Sequence, residues 1–527
     1  MPLSHLLPHS LPAGLSRRHF LAAGATLGAW SLWTRQTYGI TRQAIKLSDY
    51  PFSLGVASGD PAPDGFVLWT RLAPKPLEAG GGMPPENIAV RWRVATDEKF
   101  ANVVREGVET ALPQDAHSVH VEVAGLPADR WYFYQFDAAG ESSPIGRART
   151  APPADGLPER LKFASVSCQH FETGYYPAYE YMAKEGLDLV FHLGDYIYEY
   201  GGIDKRVRKH VGAEIKSLDD YRVRHAQYKS DPDLQAMHAA CPWIVTWDDH
   251  EFDNNCAGAI SEEAKVTAAD FLVRRAAAYK AYYEHMPLRR ACLPKGPDMQ
   301  LYRSMKYGRL AEFFVLDTRQ YRTDQPCGDG NKPQCPAALD EQGTLLGSAQ
   351  EAWLNKSLLS STGSWNVLAQ QVMMARVDRK AGEEEGYSMD QWPGYEANRR
   401  RVLKTFGEGK VSNPVVLAGD IHTNWVNDLL IDFDDAGSRT VATEFVCTSL
   451  TSGGNGVQKG KNHDELRSEN PFVKMWNAER GYISCEVTPQ QWTAHYRVTP
   501  DVTKRHLPVV TRASFVVEAG KPGAELA

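Results

Sequence analysis

Alternating apolar and polar positions mark the first folded part of the chain, from about residue 47 to residue 151. The stretches VRWRVAT (90–96), SVHVEVAGL (118–126) and WYFYQFD (131–137) alternate in this way, and Gly, Pro and Asp residues separate them. A period of two residues places successive side chains on opposite faces of a strand. The pattern therefore predicts an all-β domain over residues 47–151.

One stretch of this domain, LPADRWYFY (126–134), resembles the tyrosine corner of an immunoglobulin or fibronectin type III sandwich. We therefore expect an N-terminal immunoglobulin/fibronectin III-like β-sandwich. The segment APPADGLPE (151–159) is rich in Pro and is typical of a linker, so we expect the sandwich to end there.

Beyond residue 160 the pattern changes to apolar strands that alternate with helical segments, which predicts an α/β domain over residues 160–516. Helical periodicity is clearest in AADFLVRRAAAYKAYYEHM (268–286), which stops at Pro287, and a shorter helix is predicted over 175–186. Strands are predicted within 161–168, 187–195, 241–251, 309–322, 364–376 and 413–425.

Composition is that of an ordinary globular protein, because the 527 residues are 43% hydrophobic and 23% charged. A net charge of −7, with no basic run past the N-terminus, argues against nucleic acid as a partner other than as a substrate. After the first forty residues no apolar run approaches the ~20 residues of a membrane span, so we expect no stable membrane insertion.

The N-terminus has the layout of an export signal, which we place at residues 1–39. Arg17 and Arg18 precede the apolar run from Leu21 to Trp33, and adjacent arginines fit the twin-arginine (Tat) signal of bacterial proteins exported already folded. The alternatives are a single N-terminal anchor or a chance Arg-Arg pair. The pattern predicts a partnership with the Tat export machinery and a periplasmic or secreted location.

Export permits disulfides among the eight cysteines. Cys327 and Cys335 bracket the short polar loop CGDGNKPQC and form the best candidate pair. Most of the other cysteines lie beside apolar runs and are expected to be small buried hydrophobes, with Cys168 as the exception.

Polar residues of metal-binding types follow four predicted strands. One apolar run ends at Cys168, a second at Asp195, a third at Asp248-Asp249-His250, and a fourth at Asp420-Ile421-His422. In open α/β sheets, sites form outside the carboxyl ends of the strands. A single such Asp commonly opens a turn, but four strand ends together predict a metal site.

Carboxylates brought this close together repel one another unless cations lie between them. An Asp can bridge two cations ~4 Å apart, the arrangement in which a metal-bound hydroxide attacks a phosphoester. Asp195 is the candidate bridging ligand and catalytic residue, and Tyr198 is either a phenolate ligand to ferric iron or an ordinary aromatic of a Tyr-rich loop. The chain has no Gly-x-Ser-x-Gly, Gly-x-Gly-x-x-Gly or P-loop motif, which leaves hydrolase triads, dinucleotide folds and NTPases without support.

The stretches SCQHFETGYY, HLGDYIYE, TWDDHEFDNN, LDTRQYR and LAGDIHTNW resemble the PhoD family of alkaline phosphatases and phosphodiesterases. That family is related to the purple acid phosphatases and to the wider metallophosphoesterases. The resemblance covers most of the chain and implies a four-layer α/β/β/α catalytic domain with Fe3+ and Ca2+ at its active site.

The resemblance also implies roles for individual residues. Its implied iron ligands are Cys168, Asp195, Tyr198 and His422, its calcium ligands are Asp195, Asp249, Asp420, Asn255 and Asn254, and His250 would contact phosphate or protonate the leaving oxygen. Which ligand binds which metal is left open. Cys168 stands where many metallophosphoesterases have Asp, and GDIH where they have Gly-His-x-His, which weakens any case for a di-zinc or di-manganese centre.

Several other polar residues near these motifs are candidates for supporting roles. Arg319, after the strand AEFFVL, either contacts phosphate as a catalytic residue or forms a structural ion pair. His192 is expected in the core, His170 and Glu172 near the pocket mouth, and Glu444 behind a ligand. The Gly-rich loop 451–462 is expected to form part of the rim.

These features together predict an exported, metal-dependent alkaline phosphatase. It would hydrolyse phosphomonoesters, and phosphodiesters as well, by attack of a metal-bound hydroxide, and so serve phosphate acquisition. The alternative is a specialised phosphodiesterase, a phospholipase D-type lipase or a nuclease, that uses the same metals. A binding protein with a purely structural metal is the third hypothesis.

Overall fold

The structure, a computed structural model, describes residues 47–435 and 437–527. The predicted export signal over residues 1–39 lies outside the described residues. Among those that are described, no helix combines the length and the apolar character that a membrane crossing requires.

The strands in chain order are β1 Val56–Ala62, β2 Gly65–Arg71, β3 Ile88–Ala95, β4 Val103–Ala111, β5 Ser118–Val123, β6 Trp131–Ala138, β7 Glu141–Ser142, β8 Gly146–Arg149, β9 Leu161–Val166, β10 Leu189–His192, β11 Trp243–Val245, β12 Arg303–Tyr307, β13 Ala311–Val315, β14 Asn331–Lys332, β15 Trp365–Ala369, β16 Tyr387–Ser388, β17 Pro414–Ala418, β18 Asn424–Leu430, β19 Thr440–Val446, β20 Val473–Asn477, β21 Arg480–Val487, β22 Gln491–Thr499, β23 Val510–Glu518 and β24 Glu525–Leu526. The helices are α1 Pro177–Met182, α2 Leu218–Lys229, α3 Pro232–Ala240, α4 Ala268–His285, α5 Gly347–Ser360, α6 Glu396–Glu408 and α7 His463–Glu469.

Two large sheets form the centre of the α/β domain. The first has ten strands in the order β24-β23-β22-β21-β9-β10-β11-β1-β2-β5, and the second has seven in the order β12-β13-β15-β17-β19-β18-β20. They pack face to face through aromatic side chains, since the ring of Phe313 on the second sheet lies 5.6 Å from that of Phe163 and 4.6 Å from that of Phe191 on the first. Buried aromatic pairs of this kind add to the stabilisation from apolar burial.

Helices cover the outer face of each sheet. On the outside of the first sheet, Tyr279 of α4 stacks on Trp247, just after β11, with ring centroids 4.2 Å apart. On the outside of the second, Leu354 of α5 and Val402 of α6 belong to the core cluster that includes Leu368 of β15. The order of layers is therefore α/β/β/α, which confirms the predicted fold class.

Local sequence signals account for the helix ends. Helix α2 begins with a capping box in which Ser217 and Asp220 satisfy each other's backbone amides, and α4 begins at the N-cap Thr267. Helix α4 ends one residue before the predicted boundary, because Pro287 cannot continue it.

The N-terminal β region is joined to the α/β domain more closely than the linker suggested. Strands β4, β3, β6 and β7, with β8 beside β6, form a five-stranded sheet, whereas β1, β2 and β5 extend the ten-stranded sheet. The junction is the parallel pairing of Gly59 with Trp243 of β11. The tyrosine-corner bond is present, since the hydroxyl of Tyr132 donates to the carbonyl of Pro127 at 3.2 Å.

Candidate metal centre

The predicted site residues lie in loops that follow four strands. Cys168 follows β9, Asp195 follows β10, Asp249 follows β11, and Asp420 follows β17 on the other sheet. Strands β9, β10 and β11 are adjacent and parallel, so their carboxyl ends meet at one edge. The packing of the second sheet on the first brings the end of β17 to the same edge.

Two glycines allow these loops to meet. A Cβ on Gly194, which has a φ of 110°, would lie 2.4 Å from the Cβ of Asp248, and one on Gly419 would lie 2.5 Å from Oγ of Ser167. Neither space accepts a side chain, so glycine is required before Asp195 and before Asp420. The close approach joins the β10 loop to the β11 loop and the β17 loop to the β9 loop.

Five of the candidate ligands have a left-handed backbone conformation. The φ angles are 58° at Cys168, 56° at Asp195, 46° at Asn255, 64° at Asp420 and 59° at His422. Non-glycine residues in this region cost on the order of 1–3 kcal/mol each and persist where the surrounding structure enforces them, which happens often at functional sites. Their occurrence at the same edge of the two sheets supports a functional site there.

The first group of ligand atoms contains the residues predicted for iron. The Cys168 thiol, an Asp195 carboxylate oxygen and a His422 ring nitrogen lie within 4.8 Å of one another. The Tyr198 hydroxyl lies 2.8 Å from Oδ2 of Asp195 and 3.3 Å from Nε2 of His422. The structure therefore brings all four predicted iron ligands together.

Two further groups continue from the first. Asp195, Asp249 and His250 form one, and Asp248, Asp249 and Asp420 form the other, each with ligand atoms within 4.8 Å of one another. Asp195 belongs to the first and the second group, and Asp249 belongs to the second and the third. A carboxylate shared in this way is what a bridging ligand requires.

The two predicted asparagine ligands are placed differently. The backbone amide of Asn255 donates to Oδ2 of Asp249 at 2.7 Å, so Asn255 lies beside the centre, and its side-chain nitrogen donates to Asp329 at 3.1 Å. The side chain of Asn254 instead donates to Glu262 at an exposed position, at 2.6 Å. The structure therefore places Asn255, and not the side chain of Asn254, with the cluster.

The cluster concentrates negative charge in a buried place. Burial, followed by the charges of Asp249, Glu251 and Asp420, raises the pKa of Asp195 well above its usual range, although His250 opposes the shift. Burial and then Asp195 raise the pKa of the Cys168 thiol and of the Tyr198 phenol. These shifts mean that the acidic groups hold their protons unless a cation compensates them.

Unpaired oxygens show where compensation is needed. Oδ1 of Asp195, Oδ2 of Asp248 and Oδ1 of Asp249 are buried and have no hydrogen-bond partner among the described residues. Buried carboxylate oxygens without a partner are costly, and coordination of a cation removes that cost. Thiolate, phenolate and imidazole suit a transition metal, while carboxylate and amide oxygens suit calcium, so the donors fit both predicted ions.

Arg319 lies at the centre but is occupied by carboxylates. It is fully buried, and its guanidinium nitrogens contact Asp248 at 2.5 Å, Asp390 at 2.9 Å, and Asp249 and Asp420 at 3.5 Å each. Of the two roles left open by the sequence, the structure shows the ion pair. A direct contact of Arg319 with phosphate would require it to leave these partners.

His250 is held by a residue that the sequence patterns did not single out. Its Nδ1 donates to Oε2 of Glu199 at 2.8 Å, which fixes the ring and leaves Nε2 as the nitrogen available to a ligand. Burial opposes protonation, but Glu199, Asp195 and Asp249 outweigh it and raise the pKa of His250 well above its usual value. Glu199 lies four residues after Asp195, in the same loop.

Glu251 is a second residue without a sequence signal. Its carboxylate accepts from the backbone amides of Asp195 at 3.0 Å, Tyr196 at 2.5 Å and Asp248 at 2.8 Å. It therefore ties the β10 loop to the β11 loop behind the ligands. Only the meeting of the two loops in space reveals this role.

Three of the remaining candidates make their contacts with residues other than the proposed ligands. His192 is buried in the strand and stacks on Trp243, as expected for a core histidine. Glu172 is buried and accepts from the backbone amides of Ile203 and His210. Glu444 accepts from the backbone amides of Met374 and Ala375.

The Gly-rich loop 451–462 reaches the site through one serine. The hydroxyl of Ser452 lies 2.6 Å from that of Tyr198 and donates to the backbone carbonyl of Cys168 at 2.7 Å.

Cys327 and Cys335 form the disulfide that their spacing predicted. Asp329, inside the loop that this disulfide closes, accepts the hydrogen bond from the side-chain nitrogen of Asn255.

Comparison with known proteins agrees with this geometry. The family model described as PhoD-like phosphatase matches residues 163–496, and that of the PhoD-like phosphatase N-terminal domain matches residues 39–152. Alkaline phosphatase D of Bacillus subtilis (strain 168) is 51% identical over 516 residues, which cover 96% of this chain and 88% of that protein. A solved structure of PhoD is 52% identical, covers 92% of this chain and 93% of its own, and superposes with a TM-score of 0.89.

Two family models together extend over most of the chain. The Bacillus subtilis relative is identical at about half of the positions over most of its length. The metal-ligand types found at the strand ends agree with both findings. The chain belongs to the PhoD-like phosphatase family.

Proposed function

We propose that the protein is an alkaline phosphatase that hydrolyses phosphomonoesters, and phosphodiesters as well, in the service of phosphate acquisition. The family and the printed name of the Bacillus subtilis relative support the phosphatase activity. The observation that carries the mechanism is the convergence of a thiol, a phenol, an imidazole and several carboxylates, with buried carboxylate oxygens that have no hydrogen-bond partner among the described residues.

Iron and calcium are the ions that this donor set favours. Cys168, Asp195, Tyr198 and His422 would hold Fe3+, and Asp195, Asp249, Asp420 and Asn255 would hold Ca2+. When bound, these ions act as Lewis acids that neutralise charge on the phosphoryl oxygens and make an attacking water more acidic. Asp195 belongs to both proposed ligand sets, so its carboxylate would serve both ions.

His250 is the candidate acid for the departing alcohol. Glu199 accepts the hydrogen on Nδ1 and its charge favours the protonated ring, so His250 would carry a second hydrogen on Nε2. Donation of that proton to the leaving oxygen avoids the release of an alkoxide. Glu199 thus acts through His250, as a positioning residue that selects the tautomer.

For Arg319 we propose the second of the two roles that the sequence left open, the structural ion pair. Its guanidinium fixes the relative positions of Asp248, Asp249, Asp390 and Asp420. Planar, multiply donating geometry suits this purpose, and the ion pairs keep the carboxylate cluster together before a cation is bound. Arg319 is therefore proposed as a residue that positions the calcium ligands.

No observation favours the specialised phosphodiesterase over the phosphatase. The family description and the relative's name both refer to a phosphatase, and no feature of the described residues points to a lipid or a polynucleotide as the preferred ester. The hypothesis of a binding protein with a structural metal has no support from either comparison.

We also propose export through the Tat pathway to the periplasm or the exterior. The support is the sequence alone, in which Arg17 and Arg18 precede a mildly apolar run. Folded export suits a site that must receive its metals before the chain leaves the cytoplasm. Replacement of both arginines by lysine should retain the protein inside a Tat-competent host, as fractionation would show.

Hydrolysis and metal content, measured on the same sample, test the proposed function. Protein purified from its native host would be assayed with an aryl phosphomonoester and the corresponding diester at alkaline pH, and its metals determined by elemental analysis. We expect both esters to be hydrolysed, iron and calcium to be present, and chelation of calcium to abolish turnover reversibly. A metal-loaded protein that hydrolyses neither ester would refute the proposal.

A further inference from the structure

Arg379 lies in a well-fastened loop beside the Asp420 side of the metal centre. Its backbone amide donates to the carbonyl of Gly386 at 3.0 Å, and Asp378 accepts from the amide of Gly386 at 2.8 Å. The amide of Asp378 in turn donates to the side chain of Asn470 at 2.9 Å, at the end of α7. These bonds hold the start of the loop in place, so Arg379 is presented in a defined position.

The guanidinium of Arg379 is connected to the centre through one glutamine. Its Nη2 donates to Oε1 of Gln391 at 3.0 Å, and Nε2 of Gln391 donates to Oδ2 of Asp420 at 2.6 Å. Nε of Arg379 is buried and has no hydrogen-bond partner, and no carboxylate of the described residues lies within salt-bridge distance of this guanidinium. Burial lowers the pKa of Arg379, and the charge of Asp420 opposes that shift.

Three arginines near the Asp420 side of the centre are paired with carboxylates. Arg319 contacts four carboxylates, Arg322 contacts Asp390 at 3.1 Å, and Arg376, on the same loop, contacts Asp434 at 2.5 Å. Nε of Arg379 is withdrawn from water without an anion beside it, which is costly because its hydration is lost and nothing replaces it. A guanidinium without a carboxylate partner, next to a centre proposed to act on phosphate esters, calls for an anionic ligand.

We propose that Arg379 is a substrate-binding residue, whose free guanidinium donors bind the non-bridging oxygens of the phosphoryl group. The inference rests on the proposed function, since it assigns a contact to the same site. Arginine suits the role because its planar donors match the geometry of phosphate oxygens. Arg379 thereby takes the part that the sequence patterns offered to Arg319.

The contact should favour monoesters over diesters. A phosphomonoester presents three non-bridging oxygens and two negative charges at alkaline pH, whereas a diester presents two oxygens and one charge. An unpaired cation gains more from the doubly charged group, because electrostatic attraction grows with the charge of the partner. Removal of the guanidinium should therefore weaken monoester binding more than diester binding.

Steady-state kinetics of Arg379→Met test the proposal on the full-length metal-loaded protein. Hydrogen bonds to charged groups are worth an amount that corresponds to about 10- to 100-fold in affinity. We expect KM for an aryl phosphomonoester, and the inhibition constant of inorganic phosphate, to rise by about that factor, with a smaller rise in KM for the diester. Arg379→Lys should recover part of the phosphate affinity.

Lys380→Met is the matched control. Lys380 is the next residue of the same loop, its side chain is 41% exposed, and it pairs with Glu384. Loss of this charge changes the overall charge of the loop as Arg379→Met does, but removes no buried unpaired donor. We expect its KM values and its phosphate inhibition to equal those of the unaltered protein.

Gln391→Met separates binding from positioning. We expect Gln391→Met to lower the calcium content and the calcium-induced rise in melting temperature, and to leave phosphate inhibition at saturating calcium unchanged. If Arg379 acted only through Gln391 on Asp420, Arg379→Met would show these same three effects. That result would overturn the inference, and so would an Arg379→Met variant with unaltered KM values. Calorimetric binding of inorganic phosphate tests Arg379 even if the unaltered protein hydrolyses no ester, an outcome that would refute the proposed function separately.

Discussion

The hydroxyl of Tyr198 donates to Oδ2 of Asp195 at 2.8 Å, and both side chains are buried. The same hydroxyl lies 3.3 Å from Nε2 of His422 and 2.6 Å from the hydroxyl of Ser452. A phenol three residues after the carboxylate therefore turns back to meet it, which the left-handed conformation of Asp195 makes possible. The pair joins the iron-type donors to the carboxylates that suit calcium.

Asp195→Asn should abolish turnover and leave the metal-free protein no less stable. The carboxylate is needed by both proposed ions, and loss of a ligand should cost more than the about 10- to 100-fold associated with residues behind the ligands. Without metals, however, burial and the charges of Asp249 and Glu251 disfavour the ionised form of Asp195, so folding requires this carboxyl to take up a proton. The neutral amide avoids that cost. Aryl phosphate hydrolysis and urea unfolding of the chelated protein measure the two effects.

Asp188→Asn provides the contrast for this experiment. Asp188 is also buried, but it pairs with Arg149 and accepts from the backbone amide of Lys162 at 2.9 Å. Its replacement should lower the free energy of unfolding and leave kcat for the aryl phosphate near that of the unaltered protein. If Asp195→Asn likewise lowered the free energy of unfolding and left kcat nearly unchanged, the bridging role proposed for Asp195 would be refuted.

The strand-end pattern predicted the ligands because their positions depend on local structure. Cys168, Asp195 and Asp249 follow adjacent parallel strands, whose carboxyl ends meet at a common edge. Asp420 follows a strand of the other sheet, and only the packing of the two sheets brings it to that edge. The supporting acids could not be found in this way. Glu199 and Glu251 lie within the same motifs, but their partners are identified only once the loops are in contact.

Pairing with carboxylates, which only the structure shows, distinguishes Arg319 from Arg379. The sequence places Arg319 after an apolar strand, a position typical of site residues, whereas Arg379 lies in a loop without periodicity. Four carboxylates from three other segments occupy Arg319, and none pairs with Arg379 within the part of the chain that the structure describes. Likewise, the joining of β1 to β11 through Gly59 depends on an edge pairing that local alternation does not encode.

Replacement of Glu199 should impair catalysis most for esters with poor leaving groups. Glu199 holds Nδ1 of His250 and favours its protonated form, so Glu199→Gln weakens the proton donor without removing a proposed metal ligand. General acid catalysis is worth about 10²- to 10⁴-fold, and a leaving group that departs readily as an anion needs it least.

We therefore expect a small loss of kcat for p-nitrophenyl phosphate and a large one for an alkyl phosphate. His250→Asn should show the same trend with a greater amplitude, and metal content should stay unaltered in both variants. Equal losses for all leaving groups would mean that Glu199 acts on metal binding or folding and not on proton donation.

Arg319→Met should destabilise the protein in a manner that calcium relieves. The substitution leaves Asp248, Asp249, Asp390 and Asp420 without their shared cation, and removal of one partner from a buried ion pair typically costs about 3–5 kcal/mol. A bound divalent cation would offset part of the repulsion among the carboxylates.

Thermal unfolding in chelator and in excess calcium measures this difference. The increase in melting temperature on calcium addition should be larger for Arg319→Met than for the unaltered protein. Arg290→Met, at an exposed arginine, is the control and should change neither value. A variant whose lost stability calcium does not restore would argue that Arg319 contributes through packing alone.

The stability of the protein should rise with pH above neutrality because of Lys229. Its side chain is buried, with Nζ 4.3 Å from the ring of Trp69 and 3.4 Å from Nε2 of His238, and burial lowers its pKa to about 7. The unfolded chain has the ordinary lysine pKa of about 10.4, so between these values it binds more protons than the folded state. Under this condition the free energy of unfolding increases with pH, by up to about 1.4 kcal/mol per unit.

Urea unfolding at intervals from pH 7 to pH 10 gives this slope for the unaltered protein, for Lys229→Met and for Lys356→Met. Methionine retains the apolar stem without the amine, so Lys229→Met should be more stable at pH 7 and should lose that part of the slope. Lys356 is exposed on α5, and its replacement should leave the slope unaltered. A Lys229→Met variant that is less stable at pH 7, with the full slope retained, would show that the folded state keeps this amine charged. A positive slope of the unfolding free energy against pH, lost in Lys229→Met, would instead show that the uncharged amine makes the protein more stable at alkaline pH.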